Sequence, residues 1–203
     1  MKIKFSQGEL KRQRDALQQY ERYLPTLQLK KQQLQLEISH LLDVLKEKTE
    51  TLSGKEGSAE AWLWLLVEAP DIGSWLIPEK IAVTKKNIAG IDVPVFEYLD
   101  FEPAEYDLFL TPFWLDEGLA ALREMVSLRE EIKVVEQGIS ALRDELRITT
   151  QRVNLFEKVK IPETKEAIRI IKIYLGDQMT GAVGRSKIAK KKIEESRGKE
   201  VPV

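Results

Sequence analysis

The sequence predicts a mainly α-helical protein: a long antiparallel, left-handed two-helix coiled coil with a small β-hairpin head. Three observations predict it. From Met125 to Phe156, steps of three and four pass through Met125, Leu128, Ile132, Val135, Ile139, Leu142, Leu146, Thr149, Val153 and Phe156, apolar throughout except at Thr149. A 3.5-residue apolar period keeps one narrow stripe facing a partner helix and imposes a left-handed supercoil. A second seam runs from Leu10 through Gln13, Leu17, Tyr20, Leu24, Leu27, Lys31, Leu34, Ile38, Leu41, Leu45 and Lys48 to Leu52, broken only by Gln13, Lys31 and Lys48. Between the seams lies a shorter, β-branched stretch with turn residues, so the two arms fold back on each other within one chain.

Bulk composition narrows the classes. The chain has 203 residues, of which 32% are charged and only 7% aromatic, a balance that suits long solvated helices. A formal net charge of −1 gives no global electrostatic basis for nucleic-acid binding. There is no cysteine, hence no disulfide framework and no thiolate site. The opening Met1-Lys2-Ile3-Lys4-Phe5 lacks the apolar run of a secretory peptide, and the densest apolar stretch, Ala61 to Val67, is far too short to span a bilayer. The expectation is a soluble, cytoplasmic protein without direct membrane insertion.

Taken in order, the segments are an N-terminal coiled-coil arm (1–69), a head with the β-hairpin (70–111), a C-terminal coiled-coil arm (112–175) and a Lys-rich tail (176–203) that is expected to be mobile. Ser6 is placed to cap the first helix, with Glu9 as the capping-box partner. Pro25 falls inside that helix and predicts a kink, since Glu21 loses its hydrogen-bond donor. Ser53 to Ser58 has loop composition, yet the seam keeps phase through Leu52, Lys55, Ala59, Trp62, Leu66 and Ala69. The expectation is therefore a weak helix continuing through the glycines to Ala69, with Pro70 ending it. Lys80–Lys85 and Ile91–Phe96 read as strands joined by turn chemistry at Asn87–Gly90; Pro94 then needs an edge or non-bonded position. Thr111-Pro112 reads as the start of the second arm. Gly118 and Gly138 each cost a helix about 1 kcal/mol against alanine. Pro162 predicts a further kink, and Gly176, Gly181 and Gly184 weaken the helix after Leu175.

Little points to chemistry. His40, the lone histidine, flanks the first seam as an ordinary helix residue. Asp116-Glu117 and Glu130-Glu131 are adjacent on a helix and do not face each other, so neither is an acid–base pair. Gly181–Lys187 lacks the Gly-Lys-Ser/Thr cradle and follows a helix rather than a strand, so it is not a phosphate loop. No catalytic, cofactor or metal site is expected. Trp62, Trp64, Trp75 and Trp114 cluster around the head in sequence and read as core, with partner contact the alternative.

Three segments resemble the D subunit of the V-type and A-type rotary ATPases. Leu10-Lys11-Arg12-Gln13-Arg14-Asp15-Ala16-Leu17 is similar to the family's leucine–basic–basic–x–Arg–Asp opening. Asn87 to Pro94 resembles its hairpin, and Thr149 to Glu157 followed by Ile161-Pro162 resembles its Thr–x–Arg–Arg–Val–Asn signature, with Gln151 in place of an Arg. The resemblance implies a non-catalytic central axle whose arms insert into a hexamer of catalytic and non-catalytic subunits, A and B. It implies a head that meets the small F rotor subunit and the membrane-side adaptor (C or d), so that the protein is peripheral to the membrane through its complex. Partner contacts are then expected at Arg12, Arg14, Ile81, Val83, Ile88, Ile91, Val93, Arg152 and Asn154. The competing readings are a chaperone of prefoldin type, a coiled-coil tether with no motor role, and the RNA-binding arm of a synthetase. Heptad repeats leave the register open by one repeat: Leu24 faces Leu146 or Val153, and Ile38 faces Ile132 or Ile139.

Overall fold

The structure, a computed structural model, describes residues 4–68, 70–106 and 111–199. Helix α1 (Gln7–Ala59), strands β1 (Pro78–Ile88) and β2 (Ile91–Phe101), and helices α2 (Leu115–Leu155) and α3 (Ile161–Lys199) follow in that order. Two short 3-10 helices, Leu63–Glu68 and Pro70–Leu76, lie between α1 and β1, and a π turn, Phe156–Lys160, separates α2 from α3. The predicted class holds: mainly helical, with one antiparallel two-stranded hairpin. By contacts the chain forms two compact units, one of Leu29–Thr150 and one that combines 4–28 with 151–199 among the described residues.

Helix α1 begins as expected, with the Glu9 N–H donating to Ser6 Oγ at 3.2 Å. The reciprocal half of the capping box is absent, because the Glu9 carboxylate accepts instead from Gln13 Nε2 at 2.8 Å. The helix runs through Pro25 and, as the unbroken seam phase predicts, through both loop-like glycines. It stops at Ala59, short of the expected Ala69, which lies outside the described residues. From Ala59 the chain tightens to i→i+3 bonding, with Trp62 N donating to Ala59 O at 3.0 Å and Leu65 N to Trp62 O at 2.9 Å. That tightening swings Leu66 into a small head core with Ile72, Leu115 and Leu119. The same core displaces the start of α2. It begins at Leu115 rather than Pro112, because Phe113 and Trp114 form a turn in which Leu115 N donates to Pro112 O at 3.1 Å.

In the unit Leu29–Thr150 the two seams meet. Leu34, Ile38, Leu52 and Ala59 of α1 and Ile139, Leu142 and Thr149 of α2 are buried, all of them seam positions. Lys48, a polar break in the seam, is matched by Glu131 at 2.8 Å, and Lys30 reaches Glu145 at 2.7 Å. Such half-exposed pairs add at most about 1 kcal/mol each, but they select a register. They bracket Ile38 opposite the stretch around Ile139 and exclude Ile132, one heptad away.

The hairpin closes through Ala89 (φ 51°) and Gly90 (φ 84°), both left-handed, as a two-residue type I′ turn requires. The Asn87 side chain holds it, accepting from Gly90 N at 3.2 Å and donating to Asp92 at 2.9 Å. Alternation from the closing pair Ile88↔Ile91 puts Lys85↔Pro94 at a non-hydrogen-bonded pair, where a missing N–H costs nothing. The strands are longer than the sequence suggested, with a bulge between Ala82 and Val83. The hairpin does not stand clear of the arms. Val93 is 2% exposed in a core with Leu34, Ile38 and Leu142, and Ile88, Ala89 and Ile91 pack around it. Gly138 makes this possible: a Cβ there would lie 2.8 Å from Val93 Cγ1 and 3.9 Å from Leu41 Cδ1.

In the other unit, rings of Tyr20 and Phe156 lie 5.3 Å apart, those of Phe5 and Tyr174 4.8 Å, and Glu21 pairs with Lys165 at 3.0 Å. Four residues on from Tyr20 and three back from Phe156 are Leu24 and Val153. Seam residues whose Cα atoms approach within about 7 Å can be bridged by a disulfide. Leu24→Cys/Val153→Cys is therefore expected to close an intramolecular disulfide on mild oxidation, read by mobility on non-reducing gels. Arg22→Cys/Leu155→Cys, on the outer faces, should not. Closure of the outer pair alone would exclude this register.

Past Phe156 the buried stripe is Ile161, Thr164, Ile168, Ile171 and Leu175, all part-buried or buried. Each lies one residue later than an unbroken heptad frame puts it. The π turn absorbs the extra residue: Ile161 N–H donates to Phe156 O, an i→i−5 bond. Pro162 has no N–H to restore α bonding, and Thr164 Oγ1 takes the Lys160 carbonyl at 2.6 Å. Helix α3 continues through Gly176, Gly181 and Gly184 to Lys199.

Candidate functional site

The residues expected to meet partners fall into three sets. Arg12, Arg14, Arg152 and Asn154 are exposed on the helices of the 4–28/151–199 unit, Arg12 within 3.5 Å of Glu9. Ile81 and Val83 are exposed on β1. Ile88, Ile91 and Val93 are turned inward against the arms of their own unit. Period-two alternation sends Ile88 to the face opposite Val83, and the short turn carries Ile91 and Val93 to the same inner face. These three hold the hairpin in place, and Val93 has no free surface for a partner.

The head is organised by a residue that no sequence pattern marks. Arg123 on α2 donates through Nε and Nη2 to Trp75 O, both at 3.1 Å, and through Nη2 to Glu102 O at 2.6 Å. Its guanidinium carbon sits 5.0 Å from the Phe101 ring centroid. One side chain thus ties the second 3-10 helix and the end of β2 to α2, with a planar fork suited to two carbonyls at once. Beside it the Tyr106 ring lies tilted against that of Trp75, centroids 5.3 Å apart, and its hydroxyl donates to Asp116. That bond to a carboxylate, with a smaller contribution from burial, raises the Tyr106 hydroxyl above its ordinary value. Trp75 lies in the head core; Trp64 is largely exposed, with Val67, Ile77 and the fully exposed Phe113 also facing outward.

Chemistry is sparse elsewhere. His40 is exposed on α1 and borders a cavity of about 240 Å³ beneath the hairpin, shared with Glu37, Lys86 and Gly138. Glu166 is held below the ordinary carboxyl range by the Arg169 guanidinium, which donates to it at 2.6 and 2.8 Å. Among the described residues no group of three His, Asp or Glu is arranged for a metal, and no helix is long and apolar enough to cross a membrane. What the described residues offer is exposed helix surface in each unit and, near the hairpin, exposed apolar and aromatic side chains.

Comparison with known proteins adds a consistent result. The family described as the ATP synthase D subunit matches residues 9–191. A V-type ATP synthase D subunit of Borreliella burgdorferi is 43% identical over 189 residues, covering 93% of this chain and 94% of that protein. Proteins of the same description from Chlamydia abortus and Chlamydia pneumoniae are 37% and 34% identical over 205 residues each, covering 96% and 98% of this chain and 95% and 98% of theirs.

Proposed function

We propose, from the premise that the chain belongs to the family of ATP synthase D subunits, that it is the central shaft of a V-type rotary ATP synthase and carries torque between the nucleotide-handling hexamer and the membrane ring. Membership of that complex rests on relatives matched along nearly their whole length. The shaft role is supported by one observation above others. Two antiparallel helices are locked in a single register by matched seams and by Lys30–Glu145 and Lys48–Glu131. A packed pair resists twist better than a lone helix.

The exposed arm residues Arg12, Arg14, Arg152 and Asn154 are proposed to face the A and B subunits of the hexamer. Ile81 and Val83 are proposed to meet the small F rotor subunit, and the apolar head to seat on the membrane-side adaptor (C or d). Nucleotide chemistry belongs to the hexamer, and this chain holds no cofactor in that arrangement. The competing chaperone, tether and synthetase-arm readings have no support from the family match.

A rotation assay tests the proposal. The sequence has no native cysteine, so Glu105→Cys gives a single attachment point on the head for a bead. With the hexamer fixed to glass, ATP should drive unidirectional turning of the bead. Stationary beads on complexes that hydrolyse ATP at full rate would remove the shaft role.

A further inference from the structure

Trp62 and Trp114, the latter also packed against the head core, line a cleft at the start of α2. The cleft has a volume of about 370 Å³ and is lined by Trp62, Leu65, Trp114, Glu117, Gly118 and Ala121. Gly118 creates it. A Cβ at this position would lie 2.9 Å from Trp114 Cε3 and 3.6 Å from Trp62 Cζ3, so both indoles lie close over the bare backbone. Of the six lining residues only Glu117 is charged. Its neighbours on α2 are engaged, Asp116 by Tyr106 and Glu124 by Lys55 at 2.7 Å. Glu117 has neither an ion-pair nor a hydrogen-bond partner among the described residues. It lies in the first turn of α2, where its charge also offsets the positive end of the helix dipole.

The geometry points to a seat for one arginine side chain of the protein that meets the head. Indole faces attract a cation through their quadrupole, and a guanidinium is flat enough to stack on them while offering its N–H groups to a carboxylate. An aliphatic occupant would leave Glu117 desolvated without compensation. This inference rests on the proposal that the head is a docking surface of the complex, and it names the chemistry the partner must bring.

The test uses the assembled complex with two separate readouts. A benzophenone amino acid at Phe113, fully exposed and outside the cleft, reports by crosslinking whether the head meets a partner. Dissociation rates of the complex carrying Glu117→Gln or Trp62→Leu report on the seat. Both variants are expected to dissociate about tenfold faster, with unchanged helicity by circular dichroism, and Glu117→Asp is expected to recover part of the loss. Without a crosslink at Phe113, the docking head itself fails and the seat with it. With a crosslink but wild-type dissociation for Glu117→Gln, the arginine seat is overturned while the head remains a docking surface. The seat is overturned in that case even if Trp62→Leu weakens the complex, because the occupant is then apolar.

Discussion

Gly138→Leu is expected to lift the β-hairpin off the arms. A bare Cβ at this position already meets Val93 Cγ1 at 2.8 Å, and α2 and the hairpin are both held by the surrounding core. The substitution gains about 1 kcal/mol of helix propensity. Against that it loses most of the burial of Val93, roughly 1.5–3 kcal/mol, and part of that of Ile88 and Ile91. Amide exchange across Ile88–Val93 should accelerate at least tenfold while the arm amides stay protected. The smaller Gly138→Ala separates the two effects. Alone it is expected to destabilise by about 1–3 kcal/mol through overpacking; with Val93→Ala the clash vanishes and the helix gain remains. The double variant should therefore be more stable in urea than Val93→Ala alone. If Gly138→Ala stabilises in both backgrounds, the hairpin does not bear on Gly138.

The arms were legible because burial along a coiled coil is set by local spacing. In α1 every seam position from Leu10 to Ala59 is buried or half-buried, Lys31 and Lys48 included. What spacing could not give is the ends. Ala59 and Leu115 bound their helices because of head packing, in which Leu66, Ile72 and Leu119 come from three segments. Nor could it show where the hairpin goes. Asn87 and Gly90 announce a turn, but the inward face of the strands depends on Gly138, which lies off the seam and looked like a mere defect in the helix. An off-seam glycine deep in a strong helix is a signal in itself, since about 1 kcal/mol of lost propensity asks for a close neighbour.

Partner residues were harder to read. Likeness to a family hairpin marks a segment, not a face, so it groups Ile88, Ile91 and Val93 with Ile81 and Val83 although the two sets point apart. The tail shows the same limit for glycine. In α3 the bonds of Thr180 to Gly176 O and Ser186 to Ala182 O, with Lys190–Glu194 and Lys191–Glu195 pairs at 3.8 Å, accompany an unbroken helix to Lys199. Single i,i+4 pairs add only a few tenths of a kcal/mol, against about 1 kcal/mol lost at each glycine, so local propensity alone does not foretell this helix.

Deleting Lys158 is expected to leave the 4–28/151–199 unit nearly as stable as before, whereas deleting Arg169 should unravel much of it. Both residues are exposed, and the Arg169–Glu166 pair lost in the second case is a surface pair that contributes little, so side-chain loss hardly distinguishes them. Frame does. Without Lys158, the residues now at Ile161, Thr164, Ile168, Ile171 and Leu175 fall 4, 7, 11, 14 and 18 positions after Phe156, which is the heptad frame, and an ordinary α turn replaces the π turn. Without Arg169, every residue beyond it rotates by about 100° on the helix. Ile171, buried at present, and the Phe5–Tyr174 contact leave the interface. Each buried side chain moved to water costs roughly 1.5–3 kcal/mol, so the loss reaches several kcal/mol. Urea unfolding followed at 222 nm measures both. Equal losses from the two deletions would mean that the π turn is not a one-residue insertion in the frame, and that Pro162 alone shapes it.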